Sequence, residues 1–127
     1  MIVLDASVLI AHLDDRDAHH ERAVDVLSRS GPEPLGASTI TLAETLVAPA
    51  RAGRLADAEA ALDRLGVVAV GLGENAASRL AQLRAETSRK LPDCCVLLAA
   101  RQHSAQLASF DRDLLAAAEA LGLDTVA

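Results

Sequence analysis

Strand-like and helix-like segments alternate along this chain, and that alternation limits its possible folds more than any other feature. Alternating βα units imply parallel strands, right-handed crossovers and helices covering the sheet. Met1 to Leu4 read as a buried strand. Ala6 to about Asp14 read as a helix with Val8, Leu9 and Leu13 apolar, and Ala18 to Arg29 as a second with Ala23, Val26 and Leu27 on one face. Asp14 to Asp17 form a polar link between them, and the breakers Gly31-Pro32-Glu33-Pro34 form a loop. Leu35 to Thr39 make a short strand. Helices follow over residues 41–48 and 55–65, separated by Pro49 and the turn at Arg51 to Arg54. Gly66 caps the second, and Val67 to Val70 form a β-branched strand. Glu74 to Thr87 read as a helix, as does the stretch from Pro92 to about His103. Leu107 to Phe110 read as a strand, Asp113 to Leu121 as a helix closed by Gly122, and Asp124 to Val126 as a last strand. The expected architecture is α/β, three layers, with a central parallel sheet of four to five strands in one domain spanning residues 1–127.

Four carboxylates recur where strand-like runs hand over to helix-like ones: Asp5, Glu44, Asp93 and Asp111. In an open parallel sheet, ligands bind outside the carboxyl ends of the strands. Acids far apart in sequence can therefore converge at that edge. Each has a structural explanation when taken alone. Thr41 and Glu44 fit a capping box, Asp5 and Asp111 could cap helices, and Asp93 after Pro92 complements a helix dipole. Capping alone is served equally by Ser, Thr or Asn, yet all four junctions carry a carboxylate. A crowded carboxylate set repels itself, and hard, oxygen-seeking cations such as Mg²⁺ relieve the repulsion. On this reading, neutralising Asp93 or Asp111 should relieve crowding in the metal-free protein.

Composition narrows the function classes. Eighteen acidic against twelve basic residues give a net charge of −6, which argues against a non-specific backbone-tracking nucleic-acid binder. Phe110 is the sole aromatic, so base stacking on aromatic platforms is disfavoured and the core must be aliphatic. Eleven of the basic residues are arginines, whose fork suits phosphate; Lys90 is the only lysine. Arg16, Arg51, Arg54, Arg89 and Lys90 are candidates to line a substrate groove, with a solvated surface as the default for each. Adjacent Cys94 and Cys95 read as buried reduced thiols, consistent with a cytoplasmic location. No apolar run reaches the roughly 20 residues needed to span a membrane, and no signal-peptide pattern opens the chain. His12, His19, His20 and His103 fit no metal-ligand spacing. No phosphate-binding glycine motif follows the first strand.

The motif series resembles the PIN-domain ribonucleases, most closely the VapC-type toxins of bacterial toxin–antitoxin pairs. It comprises Leu4-Asp5-Ala6-Ser7, the apolar helix carrying Glu44, Leu91-Pro92-Asp93, and Ser109-Phe110-Asp111-Arg112-Asp113. The match runs from about residue 2 to 126. Ser109 stands where the family more often has Thr, and Cys94-Cys95 where small or aliphatic residues are usual. The resemblance implies a metal-dependent endoribonuclease toxin. Asp5, Glu44, Asp93 and Asp111 would be both catalytic residues and ligands for Mg²⁺ or Mn²⁺, directly or through water. Ser7, Ser109 and Asp113 would support them. It also implies an RNA substrate, a cognate antitoxin, a homodimer and products with 5′-phosphate and 3′-hydroxyl ends. The antitoxin would cover residues 8–13 and 42–50 and insert a basic side chain among the acids. The alternative from another class is a catalytically inactive PIN-like binding module. An aspartyl-phosphate phosphatase would want a second Asp at position 7, and a phosphoacceptor receiver domain a lysine after a late strand. The chain offers neither.

Overall fold

The computed structural model describes all 127 residues. Five strands form one sheet in the order β3-β2-β1-β4-β5. They are β1 (Ile2–Leu4), β2 (Leu35–Ser38), β3 (Val67–Val70), β4 (Gln106–Ala108) and β5 (Thr125–Val126). Every pairing is parallel. Seven helices connect them: α1 (Ala6–Leu13), α2 (His20–Arg29), α3 (Thr39–Arg51), α4 (Leu55–Leu65), α5 (Ala76–Thr87), α6 (Leu91–Gln102) and α7 (Arg112–Ala120). The expected three-layer parallel architecture is what forms.

The chain runs outward from β1 through β2 to β3, then returns to place β4 on the other side of β1. That reversal between β1 and β4 is a topological switch point, where parallel sheets open a crevice at the strands' carboxyl ends. Asp5 follows β1 there, and Ser109 and Asp111 follow β4. The ladder extends past the strands, since the Asp5 N–H donates to the Ala108 carbonyl at 2.9 Å.

Period-2 alternation divides the sheet's side chains between two cores. Val3 and Leu107 join Leu83, Leu97, Leu98 and Leu114 on one side. Ile2, Leu4 and Ala108 join Val8, Leu9, Leu27 and Leu62 on the other. Residues 94–100 of α6 are all buried, as their apolar character on every side predicts. Cys94 and Cys95 are free and buried there. Burial pushes both thiols above the ordinary range, which keeps them protonated and unreactive. Gly66, in the left-handed conformation at φ 83°, closes α4 and turns the chain directly into β3. No helix is long and apolar enough to cross a membrane.

Pro49 does not end α3, contrary to expectation, because the helix runs on to Arg51. The proline stands in the last turn, where losing its N–H removes one helical bond. The Ala52 N–H still reaches the Ala48 carbonyl at 3.1 Å, and the Arg54 N–H reaches that of Pro49 at 2.8 Å. The end of β4 also differs: the strand stops at Ala108, leaving Ser109 and Phe110 outside it, although the Ser109 N–H still donates to the Val126 carbonyl at 3.3 Å.

Truncating Leu98, which is fully buried in α6, should cost about 2–5 kcal/mol as Leu98→Ala. Leu91→Ala, at a side chain 52% exposed one residue before Pro92, should change stability by less than about 0.5 kcal/mol. Urea denaturation of both variants measures the contrast.

Candidate active site

The crevice is organised around Asp5. It holds the N-cap position of α1, but its side chain makes no capping bond. Oδ2 instead accepts two hydroxyls, Ser7 Oγ at 2.7 Å and Ser109 Oγ at 2.8 Å. Each serine has one hydroxyl proton, and both protons go to the same oxygen. Their own oxygens then accept backbone donors: Phe110 N–H to Ser7 Oγ at 3.0 Å, and Asp111 N–H to Ser109 Oγ at 2.9 Å. This knot binds the end of β1 to the end of β4. It accounts for the burial of Asp5 at 7% exposure, because a buried charge must be hydrogen-bonded. Oδ1 takes no part in the knot. Ser7 and Ser109, expected as supporting residues, therefore both position Asp5.

Glu44 enters from α3. The expected capping box at Thr41 does not form. Ser38 is the N-cap and its Oγ accepts the Thr41 N–H at 3.2 Å. Ser38 ends β2 and reaches that N–H from the strand itself, so Glu44 sits a turn further in and is released from capping. Its side chain is exposed at the crevice edge. Partial burial, then the charges of Asp5 and Asp93, raise its pKa above the ordinary glutamate range. Glu44, Asp5 and Asp93 thus share one electrostatic neighbourhood.

Asp93 lies in the first turn of α6, where the helix dipole favours a negative charge. Asp111 is the N-cap of α7, and its Oδ1 accepts the N–H groups of Asp113 at 2.9 Å and Leu114 at 3.3 Å. A single guanidinium joins these acids. Arg89 Nε and Nη2 donate to Asp93 Oδ2 at 3.1 and 2.7 Å, and Nη2 also donates to Asp111 Oδ2 at 3.2 Å. Nη1 stands 3.9 Å from Asp113 Oδ2. Asp113 itself is 85% exposed, so its part is peripheral.

Two consequences follow. Repulsion raises the pKa of Glu44, while Asp93 and Asp111 each have Arg89 as an ion-pair partner. Neutralising either of those two would remove an ion pair with Arg89, which opposes the expected relief of crowding. The four acids also reach the crevice without forming a ready cage, as no three His, Cys, Asp or Glu side chains are grouped tightly enough to hold a metal ion. The donor set is nonetheless all carboxylate oxygen, Asp5 keeps an oxygen outside its knot, and Glu44 carries uncompensated negative potential. That chemistry fits a hard divalent cation.

The sequence offered Arg89 only as one of five candidates to line a substrate groove, and its pairing with the acids was not foreseen. Its signal was the i,i+4 spacing from Arg89 to Asp93, a standard ion-pair geometry at a helix start. The other flank of the crevice holds Phe110, with the Arg22 guanidinium 4.8 Å from the ring centroid and the His19 ring 5.4 Å away. A groove of about 680 Å³ extends from Glu44 between α1 and α4, lined by Ile10, His12, Arg16, Arg54 and Arg64 among others. The pKa of His12 is lowered by burial and by the charge of His20, so it is neutral at neutral pH.

A family model of the PIN domain matches residues 2–120. Several solved structures share the fold. A toxin–antitoxin complex from Klebsiella pneumoniae is 24% identical with a TM-score of 0.71, covering 89% of each chain. Mycobacterium tuberculosis VapC20, described as a sarcin–ricin loop cleaving toxin, is 24% identical with a TM-score of 0.70, over 92% of this chain and 95% of that one. FitAcB from Neisseria gonorrhoeae is 23% identical with a TM-score of 0.74, over 100% and 97% respectively. No curated protein matches the chain.

The folded protein holds the Glu44 proton more tightly than the unfolded chain does, so ionising Glu44 costs stability. That cost is absent below the ordinary glutamate value of about 4.3. It develops as pH rises through the higher folded-state value. In chelator, Glu44→Gln should therefore melt above wild type near pH 7 and with wild type near pH 4. Melting curves across that range provide the check, and a lower melting point at neutral pH would show that Glu44 is not crowded.

Proposed function

The chain belongs to the PIN-domain family, and from that membership we propose that it is a metal-dependent endoribonuclease, the toxin of a toxin–antitoxin pair. The observation that carries this reading is the Asp5 knot at the switch point. A carboxylate fixed by two serine hydroxyls from separate segments, with the charges of Glu44 and Asp93 beside it, is a costly arrangement for mere stability. Unpaired like charges are destabilising and tend to gather where a ligand needs them. Neighbours of the same fold include a toxin described as cleaving the sarcin–ricin loop and a toxin–antitoxin complex, which supports a nuclease reading and this kind of partner.

Asp5, Glu44, Asp93 and Asp111 would hold Mg²⁺ or Mn²⁺, and the ion, when bound, supplies charge neutralisation at the scissile phosphate and activation of the attacking water. The chain's own residues set the stage. Ser7 and Ser109 fix one Asp5 oxygen and leave the other without a side-chain hydrogen bond. Glu44, whose pKa is raised by partial burial and by the charges of Asp5 and Asp93, gains from a cation placed beside it. The α7 N-terminus holds Asp111 rigid through two backbone bonds. Attack by water leaves 5′-phosphate and 3′-hydroxyl ends and makes no use of the RNA's 2′-hydroxyl.

The groove beside Glu44 is the natural seat for the antitoxin. Ile10, 40% exposed, lines it with Leu13 and Pro49, and these offer apolar anchors. A basic side chain from the partner would meet the acids. A homodimer completes this reading. A catalytically silent binding module is the second reading, favoured by one observation: Arg89 already neutralises two of the four acids.

Asp5→Asn and Asp93→Asn keep side-chain size and remove charge. Each should cut cleavage of cellular RNA in Mg²⁺ by about 100-fold or more while the circular dichroism spectrum stays native. Cleavage near the wild-type rate by either variant would overturn the catalytic assignment, and an inert wild type would favour the silent module. For the partner, affinity of the co-purified antitoxin should fall with added Mg²⁺ and with Asp111→Asn. Affinity indifferent to both would place the inhibitor elsewhere.

A further inference from the structure

Arg89 is the only basic side chain paired with the acidic cluster, and it binds the oxygen atoms a metal would use. Its Nη2 lies 2.7 Å from Asp93 Oδ2 and 3.2 Å from Asp111 Oδ2, so one nitrogen bridges the start of α6 and the start of α7. Such charge-assisted, forked contacts are among the stronger hydrogen bonds a protein makes. They hold together carboxylates that would otherwise repel.

The backbone beneath this side chain is pinned. Ser88, in the left-handed conformation, ends α5, and the Arg89 N–H donates to Thr87 Oγ1 at 3.1 Å. The Arg89 carbonyl accepts from Arg84 Nη1 at 2.7 Å. The side chain is less confined. It is 24% exposed and lines an open cleft of about 390 Å³ between the end of α5, with Glu86 and Thr87, and α7, with the small residues Ala116 and Ala120. The guanidinium thus borders open space into which it can turn while its backbone stays in place.

We propose that Arg89 is an internal countercation that holds the carboxylate cluster together in the metal-free protein, and that a divalent ion loads only by displacing it from Asp93 and Asp111. The proposal rests on the metal-site reading above and adds a competitor within the chain. Two cations cannot share Asp93 Oδ2 and Asp111 Oδ2 without strong mutual repulsion. Metal affinity is therefore set by a contest, and part of the ion's intrinsic affinity is spent on expelling the guanidinium. The same chain keeps a quiet, stable site when metal is scarce.

The test uses the full chain and Mn²⁺ as the probe. Calorimetric titration compares wild type, Arg89→Gln and Arg89→Lys, with thermal melts of each in chelator and in Mn²⁺. Removing the competitor should have opposite effects in the two conditions. Arg89→Gln should melt lower in chelator, yet bind Mn²⁺ roughly tenfold more tightly. Arg89→Lys keeps the charge but loses the fork and should fall between the two. A residue with only a structural role would lower stability and weaken metal binding together. If wild type binds Mn²⁺ and Arg89→Gln binds it no more tightly, the countercation role is wrong while the metal site stands. If neither binds Mn²⁺, the metal-site reading fails and the proposal fails with it. Should Arg89→Gln not fold, Arg89→Lys decides, since Mn²⁺ affinity no higher than wild type would overturn the idea.

Discussion

The acidic edge of this protein depends on one oxygen atom, Asp5 Oδ2, and the two hydroxyl protons it receives. Without them a carboxylate at 7% exposure would be an uncompensated charge between two strand ends. With them, Ser7 and Ser109 each become acceptors for a backbone N–H of the loop leading to α7. The bond that stabilises Asp5 is thus also the bond that aims Phe110 and Asp111. Positions at the crevice are linked, and a change at Ser109 reaches Asp111 through its backbone, not through its charge.

Charge at the crevice is unevenly distributed. On one side Asp5 and Glu44 have hydroxyls or solvent for company, and Glu44 bears the repulsion. On the other, Arg89 gathers Asp93 and Asp111. Burial works against the charge on Arg89, but its bond to Asp93 and the charges of Asp93, Asp111 and Asp113 outweigh it and raise its pKa. The site is therefore divided into a strained half and a satisfied half, and no uniform picture of four equivalent acids describes it.

The layers, the parallel sheet and the four acidic positions could be read from the chain because each rests on local pattern. Val67 to Val70 are β-branched, residues 94–100 are apolar on every side, and the acids fall at junctions. Ser7 was legible from the motif and Ser109 from its place before Asp111. Which atom caps which helix was not legible. Thr41 and Glu44 had the right spacing, but Ser38 reached the same N–H from the end of β2, a choice made by the strand-to-helix angle. Pro49 misled because its cost depends on how near the helix end it falls. Arg89 was hidden among arginines that all look solvated in sequence, since its role depends on α6 and α7 starting side by side.

The sheet order has a further consequence for how this molecule comes into being. β1 is central, yet its second neighbour, β4, arrives only at residues 106–108. Asp5 receives the Ser109 hydroxyl across a separation of 104 residues. Contacts of such long range are slow to close, because the entropy of the loop must be lost before any pairing rewards it. During synthesis, β1 and α1 must wait, with one edge of β1 unpaired, until nearly all of the remaining chain has been made. A nascent chain that stops short of Ser109 has no Asp5 knot at all, so order at the acidic edge is among the last things the growing polypeptide acquires.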